Sequence, residues 1–157
     1  MPSTGQLTQS AFQTQFGDDS AVLEASALKV LETGGINPSN IVNAAGGDTL
    51  QFQVDLEYRG NNLGIIGARN VRGTVFIEGL GAANEINVPF NAVVVNNPAN
   101  APRVTLTTNA INPAVNPGAN QIGPGLYRVS AVVHEGPNNN PNIAMTGFLD
   151  YIMVTIQ

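Results

Sequence analysis

From residue 49 to residue 59 the chain alternates without a break. Leu50, Phe52, Val54, Leu56 and Tyr58 are apolar or aromatic, and Gln51, Gln53, Asp55, Glu57 and Arg59 stand between them. A period of two puts the two sets on opposite faces of an extended chain, so this segment predicts a strand with one buried and one wet face. Gly60-Asn61-Asn62 then turns the chain, and residues 63–66 form a short apolar stretch ended by Gly67. Residues 71–80 predict a second strand, with Val71, Val75 and Ile77 on one side and Arg72, Thr74, Phe76 and Glu78 on the other. Residues 85–95 alternate again, with Ile86, Val88, Phe90, Ala92 and Val94 inward. Pro89 on the opposite parity cannot donate to a ladder, which assigns this strand to an edge or a bulge. Residues 103–108 give a shorter, more polar strand, and residues 126–135 and 148–156 give two closing ones.

Asn-Pro occurs five times, at residues 37, 97, 112, 116 and 140. Proline fixes φ and asparagine tolerates turn geometry, so these pairs punctuate the chain into strand-length pieces. At least six strands with frequent turns predict a sandwich or barrel rather than a βαβ fold. Residues 20–32 admit two readings. Leu23, Ala27, Val30 and Leu31 have helical spacing, with Asp18, Asp19 and Ser20 to cap the start and Gly34 to end it. The same residues also serve as the imperfectly alternating first strand of a sandwich. The expected organisation is an N-terminal arm over residues 1–19 and one β-sandwich domain over residues 20–157. The Asn-, Pro-, Ala- and Gly-rich residues 96–125 form an ordered connection within it, because the strands on both sides need each other's apolar faces.

The segment Gly123-Pro124-Gly125-Leu126-Tyr127-Arg128-Val129-Ser130-Ala131-Val132-Val133 resembles the penultimate strand of immunoglobulin-like and fibronectin type III-like sandwiches. In those folds a Pro-Gly turn leads into a tyrosine whose hydroxyl bonds back to the backbone, the tyrosine corner. The resemblance implies an all-β, antiparallel immunoglobulin-like sandwich of about seven strands, either wholly β or with one short N-terminal helix. It puts Tyr127 at the structural corner and Val129 where antibody domains carry their second cysteine. With no tryptophan in the chain, Phe76 becomes the aromatic expected on the central strand. The likeness is one of fold and carries no activity with it.

Composition removes several functions. The chain has no cysteine, which excludes disulfides, thiolate metal sites and a cysteine nucleophile. Charged residues make up 11%, against about 25% in ordinary domains, and twenty asparagines partly replace them. Lys29 is the only lysine, the arginines are scattered and the formal net charge is −5, so the footprint of a phosphate-backbone binder is missing and no nucleic-acid partner is expected. The opening Met-Pro-Ser-Thr-Gly-Gln has neither the basic nor the apolar region of a secretory signal, and no apolar run reaches the length of a membrane span. The default expectation is the cytoplasm, with export by a leaderless route or membership of an external assembly as the alternative.

Candidate chemistry is sparse. His134 shares a strand side with Arg128, Ser130 and Val132, and no nucleophile or orienting group is identifiable beside it. Asp18 and Asp19 could join Asp48 or Glu135 in a loop calcium site, but no calcium-loop spacing appears. Sugar platforms stack on exposed aromatics, and here Tyr58 and Tyr127 are expected in the core. Gly46-Gly47 precedes a strand rather than opening a helix, so it cradles no phosphate. The expectation is no catalytic residue, no metal and no cofactor.

The last strand is the informative one. Phe148, Ile152, Val154 and Ile156 suit a core face, yet Leu149, Tyr151 and Met153 make the opposite face apolar too. A strand apolar on both sides is covered on both sides. The cover is either the N-terminal arm, whose aromatics are Phe12 and Phe16, or another subunit. Leu149, Tyr151, Met153, Phe12 and Phe16 are therefore the candidate interaction face. The function expected is a non-enzymatic structural or protein-interaction module whose partner is itself or another protein; the alternative is a glycan- or calcium-binding sandwich.

Overall fold

The computed structural model describes residues 10–16, 19–32, 37–38 and 40–157, with side chains for residues 21–32 and 40–157. All regular structure among them is strand. The first sheet is built on β6 (Leu50–Gly60), the strand of unbroken alternation, whose Leu50, Phe52, Val54, Leu56 and Tyr58 are buried. β10 (Arg103–Thr107) pairs antiparallel along one edge of β6. Along the other edge lie β2 (Asp19–Ala25) and β3 (Lys29–Glu32), end to end and also antiparallel. β1 (Ser10–Phe16) pairs outside β2, and β4 (Asn37–Pro38) outside β3.

Residues 20–32 are thus strand, not helix. The junction of β2 and β3 explains the helical look of the sequence. The Ser26 amide donates to the Asp55 carbonyl at 2.7 Å, and the Ser26 hydroxyl accepts from the Asp55 amide at 3.0 Å. This break in the ladder changes the inward parity, from Ala21, Leu23, Ala25 and Ala27 to Leu28 and Val30. An interrupted strand therefore reproduces a three-to-four-residue spacing.

The second sheet is centred on β11 (Gly125–Pro137), with β7 (Arg69–Gly79) and β12 (Met145–Ile156) antiparallel on either side. β8 (Ile86–Pro89) and β9 (Val93–Val95) both pair with the far edge of β7, so residues 85–95 are two strands rather than one. Phe90 lies at their break, buried, with its amide bonded to the Gly73 carbonyl at 2.9 Å. Past the break Val95 is buried and Val94 half exposed, the reverse of an unbroken alternation. Pro89 ends an edge strand, where its missing N–H costs no ladder bond. β5 (Ile41–Val42) runs parallel to the end of β12, the one parallel pair among the described strands.

The inward faces of both sheets meet in one core that includes Leu23, Phe52, Val54, Leu56, Val75, Ile77, Leu106, Val129 and Ile152. The architecture is all-β, two open and mostly antiparallel sheets, compatible with a β-sandwich. The long connection from β10 to β11 is anchored by Ile122, which is buried, and by Leu50–Ile111 backbone pairing. At its end the buried Tyr127 hydroxyl donates to the Gly123 carbonyl at 2.9 Å and accepts from the Gly123 amide at 3.1 Å. Tyr127→Phe is expected to lower the unfolding free energy by about 1–3 kcal/mol, since it leaves a buried donor and a buried acceptor of Gly123 without their partner. An unchanged denaturation midpoint would show that neither bond contributes.

Candidate interaction face

Strand β12 does not keep one parity. Val129 of β11 stands opposite Ile152 and Ala131 opposite Leu149, so Asp150 and Tyr151 together face the single residue Ser130. Two residues against one is a β-bulge, and beyond it every side chain changes face. Met145, Gly147 and Leu149 point inward before the bulge, and Ile152, Val154 and Ile156 after it. The assignment from simple alternation is corrected in two places. Leu149 belongs to the core, at 2% exposure, and Phe148 to the outer face, at 73%. Tyr151, at 53%, and the half-buried Met153 lie on the outer face as expected.

The other strands extend this face. Val132 stands opposite Phe148 on one side and Thr74 on the other, and Phe76 stands opposite Ser130. Phe76 is half-buried on the outer surface of β7, an inner strand of its sheet. Among the described residues, the core aromatics are Phe52, Tyr58, Phe90 and Tyr127. The Arg128 guanidinium lies 5.8 Å from the centre of the Tyr151 ring and donates from Nε to Glu78 at 2.8 Å. The Glu78 carboxylate, by hydrogen bond and charge, holds the Arg128 pKa above its ordinary value. His134 pairs its Nδ1 with the Thr146 hydroxyl at 3.0 Å, and Arg72 donates to the Pro141 carbonyl at 3.1 Å. Phe12 and Phe16 lie in β1, whose backbone runs alongside β12; their side chains fall outside the described residues.

The outer face of the first sheet is polar by contrast. Gln51, Gln53, Asp55, Glu57 and Arg59 alternate outward on β6, with Arg103 and Thr105 beside them on β10. Lys29 donates to Asp55 at 2.6 Å, and the Thr105 hydroxyl donates to the same carboxylate at 2.9 Å. Partial burial alone raises the Asp55 pKa, but these bonds and the Lys29 charge outweigh it and hold the carboxyl below its ordinary value. The side chains there neutralise one another across the strands, which suits a solvated face.

Among the described residues, charge enters the interior at one point. Arg69 and Glu135 are buried, and Glu135 accepts from Arg69 Nε at Oε1 and from Arg69 Nη2 at Oε2, the latter at 3.1 Å. The Tyr58 hydroxyl, from the opposite sheet, donates to the same Oε1 at 2.9 Å. Burial, then the Glu135 charge and its hydrogen bond, push the Tyr58 phenol far above its ordinary range, so it stays protonated as a donor. Burial alone lowers the Arg69 pKa, but the bonds and charge of Glu135 more than reverse it, and the guanidinium stays charged. The carboxylate is fully engaged with its own core partners, so Glu135 leaves the calcium set suggested by the sequence. Of that set, Asp48 accepts the Asn43 amide at 3.0 Å, Asp18 lies outside the described residues, and only the backbone of Asp19 is described. The triad carried a sequence signal. Arg69 shares the inward parity of Val71, Val75 and Ile77, and Glu135 that of Tyr127, Val129, Ala131 and Val133, so each is an ionised residue in an apolar series.

The class defined by these observations is an all-β protein of two open sheets with an apolar outer face on one of them. No protein-family model matches the chain, and no match was found among curated proteins or solved structures.

Proposed function

We propose that the chain is a non-enzymatic interaction module, built on an immunoglobulin-like β-sandwich, that associates with copies of itself. Three features support the immunoglobulin-like assignment. The strand order sets β2/β3, β6 and β10 against β12, β11 and β7. The first strands straddle both sheets, with β5 parallel to the last strand. The tyrosine corner stands at the entry to the penultimate strand. The observation that carries the functional reading is the outer face of the second sheet. Phe148 and Tyr151 are more than half exposed there beside Met153, Phe76 and Val132, in one cluster. Scattered apolar residues on a surface are ordinary, but a contiguous cluster rimmed by polar groups marks an interaction site. The non-enzymatic reading is supported by His134, which pairs with the Thr146 hydroxyl and lies on the rim of that face.

Light scattering on fractions from a sizing column, over a wide concentration range, tests the reading. The expected result is a mass that rises above the 16.3 kDa of one chain. A constant single-chain mass at every concentration would rule out self-association.

A further inference from the structure

The two outer faces of the protein differ in kind. The first sheet turns outward a ladder of paired charges and amides, and the second an apolar centre with a charged rim. Resting on the self-association reading, we infer that a second copy of the chain covers the second sheet. The two copies pack sheet on sheet about a two-fold axis, with the same face on both sides, and close as a dimer.

Area, charge and symmetry each favour that occupant. Strands β7, β11 and β12 are 11, 13 and 12 residues long, which at about 3.4 Å per residue gives a face about 40 Å long. Three such strands at about 4.8 Å spacing, with the 4-residue β8 beside part of β7, give on the order of 600–700 Å². A standard interface takes about 800 Å² from each partner, and this one sheet face supplies most of it. The charged residues that the paired strands set on the face are Arg72, Arg128, Glu78 and Asp150. They sum to zero, so the formal −5 of the chain lies elsewhere. An acidic molecule presenting its neutral face can approach its own copy with the least repulsion, whereas a strongly charged partner finds no matching field there. A face with both signs around an apolar centre is also self-complementary. Arg128 and Glu78 of one copy can exchange partners with those of the other across a two-fold axis. Such an isologous contact uses the same patch on both subunits and leaves nothing open for a third. Sheets that meet this way pack about 10 Å apart with their strands within about 30° of each other. The bulge at Asp150 and Tyr151 is what puts Phe148 and Tyr151 on this face together.

The test uses the whole chain. Its mass should level at twice 16.3 kDa. Phe148→Glu and Tyr151→Glu should each weaken association at least ten-fold with the melting temperature of the isolated chain preserved, since a carboxylate at the contact centre loses its water without a partner. Because the chain has no cysteine, a single one reports geometry. In Ser130→Cys, near the centre of the face, a short two-headed thiol crosslinker should join the chains in pairs in high yield. In Thr105→Cys, on the polar sheet, it should join none. An assembled protein whose mass ignores both glutamate substitutions overturns the assignment of the face. A mass that keeps rising past two chains, or assembly without Ser130→Cys crosslinking, overturns the two-fold arrangement. A wild-type chain that stays single at all concentrations refutes self-association itself, a separate outcome from the other two.

Discussion

Glu135→Gln is expected to lower the unfolding free energy by about 3–5 kcal/mol, the range for a buried ion pair that loses one partner. The substitution leaves the Arg69 guanidinium in the core with an amide in place of a carboxylate, and the Tyr58 hydroxyl with a poorer acceptor. Arg69→Met should cost a similar amount by the opposite route, since it strands the carboxylate with Tyr58 as its remaining side-chain partner. The size of the loss does not mean that the pair stabilises the fold by that amount. Removing both charges from water costs most of what their attraction returns, so an apolar replacement of the whole pair is often neutral. The double variant Arg69→Met with Glu135→Leu should therefore be more stable than either single variant. Tyr58→Phe added to it should recover about 1 kcal/mol or more, by removing a hydroxyl that the double variant leaves unpaired. Urea unfolding of the set closes the cycle. Single variants within about 1 kcal/mol of the parent would mean that water reaches the site and that the triad is not buried in solution.

Much of the fold could be read from the chain because β6 alternates cleanly and β7 and β11 keep one largely apolar parity, and their turns are marked by glycine, proline or asparagine. What escaped was interruption. The break at Ser26 mimicked a helix because a parity change inserts an odd spacing into an even one, and no glycine or proline announced it. The break between β8 and β9 escaped for the same reason, since Phe90 continues the apolar pattern through the point where the pairing changes. The interaction face suffered most. From Phe148 to Ile156 apolar residues stand on both parities, so alternation alone cannot decide which set is inward. The decision lies in the pairing with Ser130 on a different strand. The Arg69–Glu135 pair was half legible, because each residue breaks an apolar series, but the partnership joins positions 66 residues apart.

The bulge in β12 gives the second large expected effect, a contrast between neighbours. Leu149 lies at 2% exposure in the core and Phe148 at 73% on the outer face. Leu149→Ala removes buried methyl groups and leaves a cavity that the surrounding β-structure can close only in part, and it should cost about 2–5 kcal/mol. Phe148→Ala removes a larger side chain from a wet surface. Measured below the concentration at which the chain associates, it should stay within about 1 kcal/mol of the parent, with Phe148 standing opposite Val132. Introduced charge should sharpen the contrast. Leu149→Glu buries an unpaired carboxylate in the core and should prevent folding at ordinary temperature, whereas Phe148→Glu should fold. An unbroken alternation through β12 makes the opposite forecast, with Leu149 the tolerant position and Phe148 the intolerant one. Thermal and urea midpoints of these four variants therefore decide whether Asp150 and Tyr151 share one place in the ladder. If Leu149 proves tolerant and Phe148 does not, the bulge is wrong and the outer face must be redrawn around Leu149, Tyr151 and Met153.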